Sequence, residues 1–142
     1  MRSRRKLCTV LLLLNLAFIW GNSMLPGELS GALSNWLGGL TEWDGSAPTE
    51  GTGLLRKLAH FTEFASLGLL LAWLAYLNGE QGFHLFALAL LGGLLTACID
   101  ESIQLLTPDR GSSLVDVWID TSGVVLAALF GVYYFDSRRN RQ

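Results

Sequence analysis

Two cysteines are all that this 142-residue chain contains, and their positions exclude a disulfide. Cys8 opens the first hydrophobic run and Cys98 lies late in the third. In helices of alternating direction those heights differ by roughly 20 Å at about 1.5 Å per residue. A disulfide needs Cα atoms within about 7 Å of each other. Charge is also scarce, at 15% of residues against 51% hydrophobic, and it is segregated rather than spread. The net charge of −2 therefore says little about the whole chain, and nothing points to nucleic acid. There is no internal repeat and no low-complexity tract. A small-x-small cleavage site is missing too: Trp20 is followed by Gly21, Asn22, Ser23 and Met24. Arg2, Arg4, Arg5 and Lys6, with the leucine-rich run behind them, read as an uncleaved anchor rather than a signal peptide.

Four hydrophobic runs approach bilayer length: Leu7–Met24, Leu54–Leu77, Phe83–Leu106 and Leu114–Phe135. A spanning helix needs roughly 20 mostly apolar residues. The expected fold is all-α, a four-transmembrane-helix bundle forming one membrane domain over residues 1–142. Arg2, Arg4, Arg5 and Lys6 precede the first run, and Arg138, Arg139 and Arg141 follow the last. The positive-inside rule then places both termini in the cytoplasm, which four spans permit. Leu25–Gly53 and Thr107–Ser113 become outer loops and Asn78–Gly82 a tight inner turn. Arg56, Lys57 and Arg110 are basic and fall on the outer side, an exception that a functional role would explain.

Polar residues interrupt the runs at one height only. Lys57, His60 and Glu63 open the second. Asp100, Glu101 and Gln104 close the third, and Asp116 and Asp120 open the fourth. In this topology all three sets lie in the outer third of the membrane. A charge at a helix centre costs about 2.5–3.5 kcal/mol on insertion scales, and less toward the ends. The inner halves are almost purely apolar, which argues against a proton or ion pathway. Each polar set continues into a stripe of small or buried-type residues at steps of three and four. These are His60, Phe64, Gly68 and Ala72; Ala89, Gly93, Ala97 and Glu101; and Asp116, Asp120, Gly123, Ala127 and Gly131. Such steps stay on one helix face, and small residues there let membrane helices pack closely. The polar ends should therefore face the bundle interior.

In the first outer loop, Leu33, Trp36, Leu37 and Leu40 follow an amphipathic helical pattern within Gly31–Leu40. Ser30 is placed to cap it. A short helix on the outer leaflet is expected, with Trp36 and Trp43 at the lipid–water interface.

The polar layer carries both signs of charge. Arg110 and Lys57 could clamp a phosphate, Arg through its planar fork of donors. Glu63, Glu101 and Asp116 could hold a divalent metal through oxygen. His60 or a carboxylate of the set could serve as general base or acid. Each residue also has a plainer use. His60 and Glu63 are spaced to pair with each other. Glu101 and Gln104 could join helices. Asp116 could cap the fourth helix after Ser112 and Ser113. Lys57 could reach for the interface, and Arg110 could pair with Asp109 or Asp116.

The run Lys57-Leu-Ala-His60-Phe-Thr-Glu63-Phe-Ala-Ser-Leu-Gly68 resembles the VanZ-like family. So do Asp100-Glu101-Ser-Ile-Gln104, Pro108-Asp-Arg110-Gly111-Ser112 and Asp116-Val-Trp-Ile-Asp120-Thr-Ser-Gly123. Asn22-Ser23-Met24-Leu25-Pro26-Gly27 adds to the likeness, which covers roughly residues 15–131. Each motif is short, but their order and spacing together are specific. The resemblance implies a multi-pass protein of the bacterial cytoplasmic membrane. The family is named for a protein giving low-level resistance to the glycopeptide teicoplanin. A wider proposed kinship includes enzymes that exchange or hydrolyse phosphate-linked lipid headgroups, among them phosphatidylserine synthases and a toxin acting on the lipid-linked cell-wall precursor. It implies a membrane lipid or lipid-linked envelope precursor as partner. The signature positions are Lys57, His60, Glu63, Asp100, Glu101, Gln104, Arg110, Asp116 and Asp120. The topology is checked by reporter fusions: GFP should fluoresce at either terminus, and alkaline phosphatase should be inactive at both.

Overall fold

The computed structural model describes residues 2–28, 32 and 50–139. Over those residues the chain is four long helices with no strand: α1 (Arg2–Ser23), α2 (Glu50–Leu77), α3 (Gly82–Leu106) and α4 (Leu114–Arg139). Each is long and apolar enough to cross a membrane. The all-α, four-helix expectation holds, and α2 and α3 end at the expected Leu77 and Leu106. The outer two helices are longer than expected. α1 starts at Arg2 rather than Leu7, and α4 runs to Arg139 rather than Phe135. Arg and Lys are good helix formers, so the helix continues past the apolar run into its basic flank. The short helix expected over Gly31–Leu40, with Trp36 and Trp43, lies outside the described residues.

Many large apolar side chains point outward, and the core combines small residues with a few large ones, Ile19, Phe64, Leu67 and Leu85. Phe18, Leu91, Leu95 and Phe130 are exposed, while Ala72, Ala89, Ala97 and Ala128 are fully buried. Lipid is as apolar as leucine, so burial of leucine drives little association between membrane helices. Close packing of small residues does that work, and the expected stripes on α2 and α3 are buried faces, while on α4 Asp120, Gly123 and Gly131 are buried but Asp116 and Ala127 only half-buried. His60, Phe64, Gly68 and Ala72 are all buried, as are Ala89, Gly93, Ala97 and Glu101.

The tightest seam lies between α2 and α4. A Cβ added at Gly123 would sit 2.5 Å from the Phe61 carbonyl oxygen and 3.1 Å from the Ala65 amide nitrogen. One added at Gly68 would sit 2.8 Å from the Val124 carbonyl oxygen. The obstacles are backbone atoms, which cannot rotate away.

The other end of the bundle gathers the basic flanks. α2 closes at Gly79, whose φ of +100° suits glycine, and the Glu80 amide donates to the Ala75 carbonyl at 3.1 Å. Asp136 of α4 accepts from the Gly82 amide at 3.1 Å. Arg5 donates to the Leu77 carbonyl and Arg139 to the Gly79 carbonyl. Both cysteines are free; Cys8 is buried and Cys98 exposed on the bundle surface.

Gly123→Val should lower the stability of the detergent-solubilised protein by about 1–3 kcal/mol or more, the usual cost of overpacking. Gly21→Ala should cost nothing, because no atom lies within 4 Å of the added Cβ. Thermal unfolding of the two variants checks the contrast.

Candidate polar site within the helix bundle

The end of the bundle away from the basic flanks holds a buried polar core. Its centre is Asp100, fully buried on the inner face of α3. Ser23, the last residue of α1, donates its hydroxyl to Asp100 Oδ1 at 2.6 Å. Gln104, one turn along α3, donates Nε2 to Oδ2 at 2.8 Å. Both oxygens of Asp100 are thereby held in fixed directions. The i, i+4 spacing of Asp100 and Gln104 makes their contact local. The Ser23 contact ties α1 to α3.

Across from Asp100 stand His60 of α2 and Asp120 of α4. His60 Nδ1 lies 3.6 Å from Asp120 Oδ1 and 4.0 Å from Asp100 Oδ2. Both distances exceed a hydrogen bond. Asp120 is fully buried and His60 nearly so. Neither Asp120 oxygen, nor His60 Nδ1, has a hydrogen-bond partner among the described residues. Glu63 is not paired with His60. Its Oε1 accepts from Asn22 Nδ2 of α1 at 3.3 Å, and its Oε2 is buried without a partner.

A second tier forms the rim. Glu101 Oε2 accepts the Ser113 backbone N–H at 2.7 Å, while Ser113 Oγ accepts from the Val115 amide at 3.2 Å. The start of α4 is therefore capped by its own serine and by a carboxylate from α3. Capping of this kind satisfies amides that lack helical partners. Asp116 is not the cap; its carboxylate lies 3.7 Å from the Arg56 guanidinium. The remaining Glu101 oxygen, Oε1, is buried and has no hydrogen-bond partner among the described residues.

Arg110 sits in the turn between α3 and α4, where Asp109 adopts a φ of +56°, a conformation aspartate tolerates. Its Nε donates to the Leu25 carbonyl at 3.1 Å and its Nη2 to the Asn22 carbonyl at 3.0 Å. The carboxylates of Asp109 and Asp116 are not its partners. Its Nη1 is buried and has no hydrogen-bond partner among the described residues. Burial and the nearby Arg56 both pull the Arg110 pKa below its ordinary value, against the opposing pull of Asp100, Glu101 and Glu63. An arginine stays charged all the same.

Of the positions singled out in the sequence, His60, Glu63, Asp100, Glu101, Gln104, Asp116, Asp120 and Arg110 line this one end. Lys57 is exposed, away from the buried core, and Arg56 takes the inner position beside Asp116. Glu63, Glu101 and Asp116 do not form a compact ligand set. The three groups that do are His60, Asp100 and Asp120, all buried, with one ligand atom from each within 4.8 Å of the others. It is the only such group among the described residues. Ser23, Asn22 and Ser113 complete the arrangement and were not predicted as site residues. Ser23 and Asn22 lie in the Asn22–Gly27 stretch that carries part of the family likeness, which is the signal that points to them.

Four spanning-length helices around a buried polar centre fit a multi-pass membrane protein with a polar core at one end of its bundle. The VanZ/LLP1 family model matches residues 7–135, nearly the whole chain, and the chain belongs to that family. No curated protein and no solved structure matches it.

Loss of the Glu101 acceptor should loosen the start of α4. Glu101→Ala should cost about 0.5–2 kcal/mol, in the range of a lost helix cap, and Glu101→Gln less, because it keeps an acceptor oxygen. Hydrogen exchange at the Ser113 amide should quicken markedly in the alanine variant alone.

Proposed function

We propose that this protein acts on the phosphate-linked headgroup of an envelope lipid, from the outer side of a bacterial cytoplasmic membrane. One observation carries the reading: the way Arg110 is held. Carboxylates stand close by, yet its guanidinium is fixed by two backbone carbonyls, and Nη1 is left without a partner among the described residues. Here the charge is positioned and kept available. Arg56 adds a second cation nearby. A phosphate between them would relieve their mutual repulsion and take charge-assisted hydrogen bonds from the Arg110 fork.

The acceptors lie deeper. Glu63 Oε2, Glu101 Oε1, His60 Nδ1 and the Asp120 oxygens are buried and have no hydrogen-bond partner among the described residues. One of them, with His60 favoured by chemistry, takes the proton of an attacking hydroxyl from water or an alcohol. The oxygen forms a bond to phosphorus, the phosphorus–oxygen bond to the leaving headgroup breaks, and the departing alkoxide takes up the proton. The Arg110 guanidinium offsets the charge that builds on the phosphoryl oxygens. Ser23 and Gln104 hold Asp100 rigid beneath the reacting groups. The VanZ/LLP1 membership agrees with an envelope role, and teicoplanin susceptibility is one cellular readout.

Purified protein with labelled polyprenyl-phosphate and phospholipid substrates tests the proposal. His60→Ala should lower turnover by about 10²–10⁴, the usual worth of a general acid or base. Arg110→Lys should raise KM, because lysine cannot reproduce the planar fork. Glu101→Gln should abolish turnover with lipid binding intact; a graded loss of binding alone would instead mark a protein that holds lipid without transforming it. No turnover of any such substrate, with cellular function unchanged in the His60 and Glu101 variants, would refute the proposal.

A further inference from the structure

We propose that His60, Asp100 and Asp120 form a binding site for one divalent first-row cation, of the Mn²⁺ or Zn²⁺ class. Three helices supply one ligand each: α2 the imidazole, α3 and α4 the carboxylates. The ligand atoms lie within 4.8 Å of one another, with His60 Nδ1 at 3.6 Å from Asp120 Oδ1 and 4.0 Å from Asp100 Oδ2. Ligands bound at about 2.0–2.2 Å in tetrahedral or octahedral arrangement stand roughly 3–4.4 Å apart. The observed distances are too long for hydrogen bonds and suited to an ion between the groups.

The pattern of partners is the independent sign. Asp120 is fully buried, yet neither oxygen has a hydrogen-bond partner among the described residues, and His60 Nδ1 has none either. An ionised carboxylate without a partner in an apolar interior is costly. Asp100, by contrast, has each oxygen oriented by one donor, Ser23 on Oδ1 and Gln104 on Oδ2. Each oxygen keeps a further lone pair for a metal. Donors that orient a ligating carboxylate are a usual outer layer of metal sites. Charge agrees as well. Two carboxylates, one neutral imidazole and one divalent cation sum to zero, the most favourable total for a site this deep. Arg110 does not supply that neutralisation, since its hydrogen bonds go to the Leu25 and Asn22 carbonyls. The ligand set is mixed nitrogen and oxygen. Imidazole favours transition ions over Mg²⁺ and Ca²⁺.

A bound ion takes up His60 Nδ1, so in the loaded protein the proton acceptor of the proposed reaction is Glu63 or Glu101, and the test reads the ion directly. Tag-free full-length protein in lipid nanodiscs is stripped with EDTA and titrated with Mn²⁺ and Zn²⁺, followed by calorimetry and thermal unfolding. Wild type should bind one ion per chain, with Mn²⁺ or Zn²⁺ tighter than Mg²⁺, and unfold at higher temperature when loaded. Asp120→Asn and His60→Gln should each weaken binding by about tenfold or more. Asp136→Asn, at the opposite end, should bind as wild type does. In EDTA, Asp120→Asn should be no less stable than wild type, because it removes a buried carboxylate that no hydrogen bond satisfies. A purely structural aspartate would show the reverse. Absence of saturable binding by wild type, equal affinity in both ligand variants, or preference for Mg²⁺ would overturn the site. Lipid turnover that persists in EDTA would remove the ion from the reaction while leaving the proposed function standing.

Discussion

Backbone meets backbone where α2 crosses α4, and the polar core depends on that contact. Gly123 faces the Phe61 carbonyl with no room for a methyl group. His60 precedes Phe61 in sequence, and Asp120 lies one turn before Gly123. The crossing therefore sets how near the imidazole and the carboxylate can come. A side chain at either glycine would push the helices apart and open the 3.6 Å separation between His60 and Asp120. The glycines of this seam thus belong to the chemistry as much as to the packing. The same seam continues to Gly131 against Ala72, so the geometry is held over about two further turns of helix, roughly 12 Å at 1.5 Å per residue.

The other half of the core is fixed by polar contacts rather than close packing. Ser23 on Asp100 and Asn22 on Glu63 join α1 to α3 and α2. Thr107 donates to the Ser23 carbonyl, and the Gly27 amide donates to the Pro108 carbonyl. Arg110 adds two more bonds to the same stretch of α1. Individual interhelical hydrogen bonds in membranes are worth only about 0.6–2 kcal/mol. Several of them on one short segment act together, and the end of α1 becomes a wall of the site.

Helix number, extent and inward faces are legible in the sequence because lipid imposes simple rules. Twenty apolar residues make a span, and small residues every three or four mark a contact. The burial of His60, Phe64, Gly68 and Ala72 follows from that spacing alone. Partner choice is not legible in the same way. Spacing suggests that His60 meets Glu63, yet three-dimensional proximity gives Glu63 to Asn22 and places His60 between Asp100 and Asp120. Asp116 looks like a helix cap, but Glu101 reaches the amide first from another helix. Arg56 and Lys57 are adjacent cations that differ only in the direction each faces, about 100° apart on a helix of 3.6 residues per turn. Such choices depend on helix rotation and crossing, which no local pattern encodes.

The contact between Ser23 and Asp100 spans 77 positions in the chain, and Asp120 comes later still. During membrane insertion, α1 and α2 are in place before the carboxylates of α3 arrive, and α3 waits for α4. Until the last helix docks, His60, Glu63, Asp100 and Glu101 face lipid or one another without their final neighbours. Each such group favours expulsion of its segment from the bilayer. The assembled bundle is then the first state in which Asp100 meets Ser23 and Glu101 meets the start of α4, so correct association is rewarded late. A chain cut short or mispaired would carry its polar residues on a lipid-facing surface, a feature that membrane quality control can recognise.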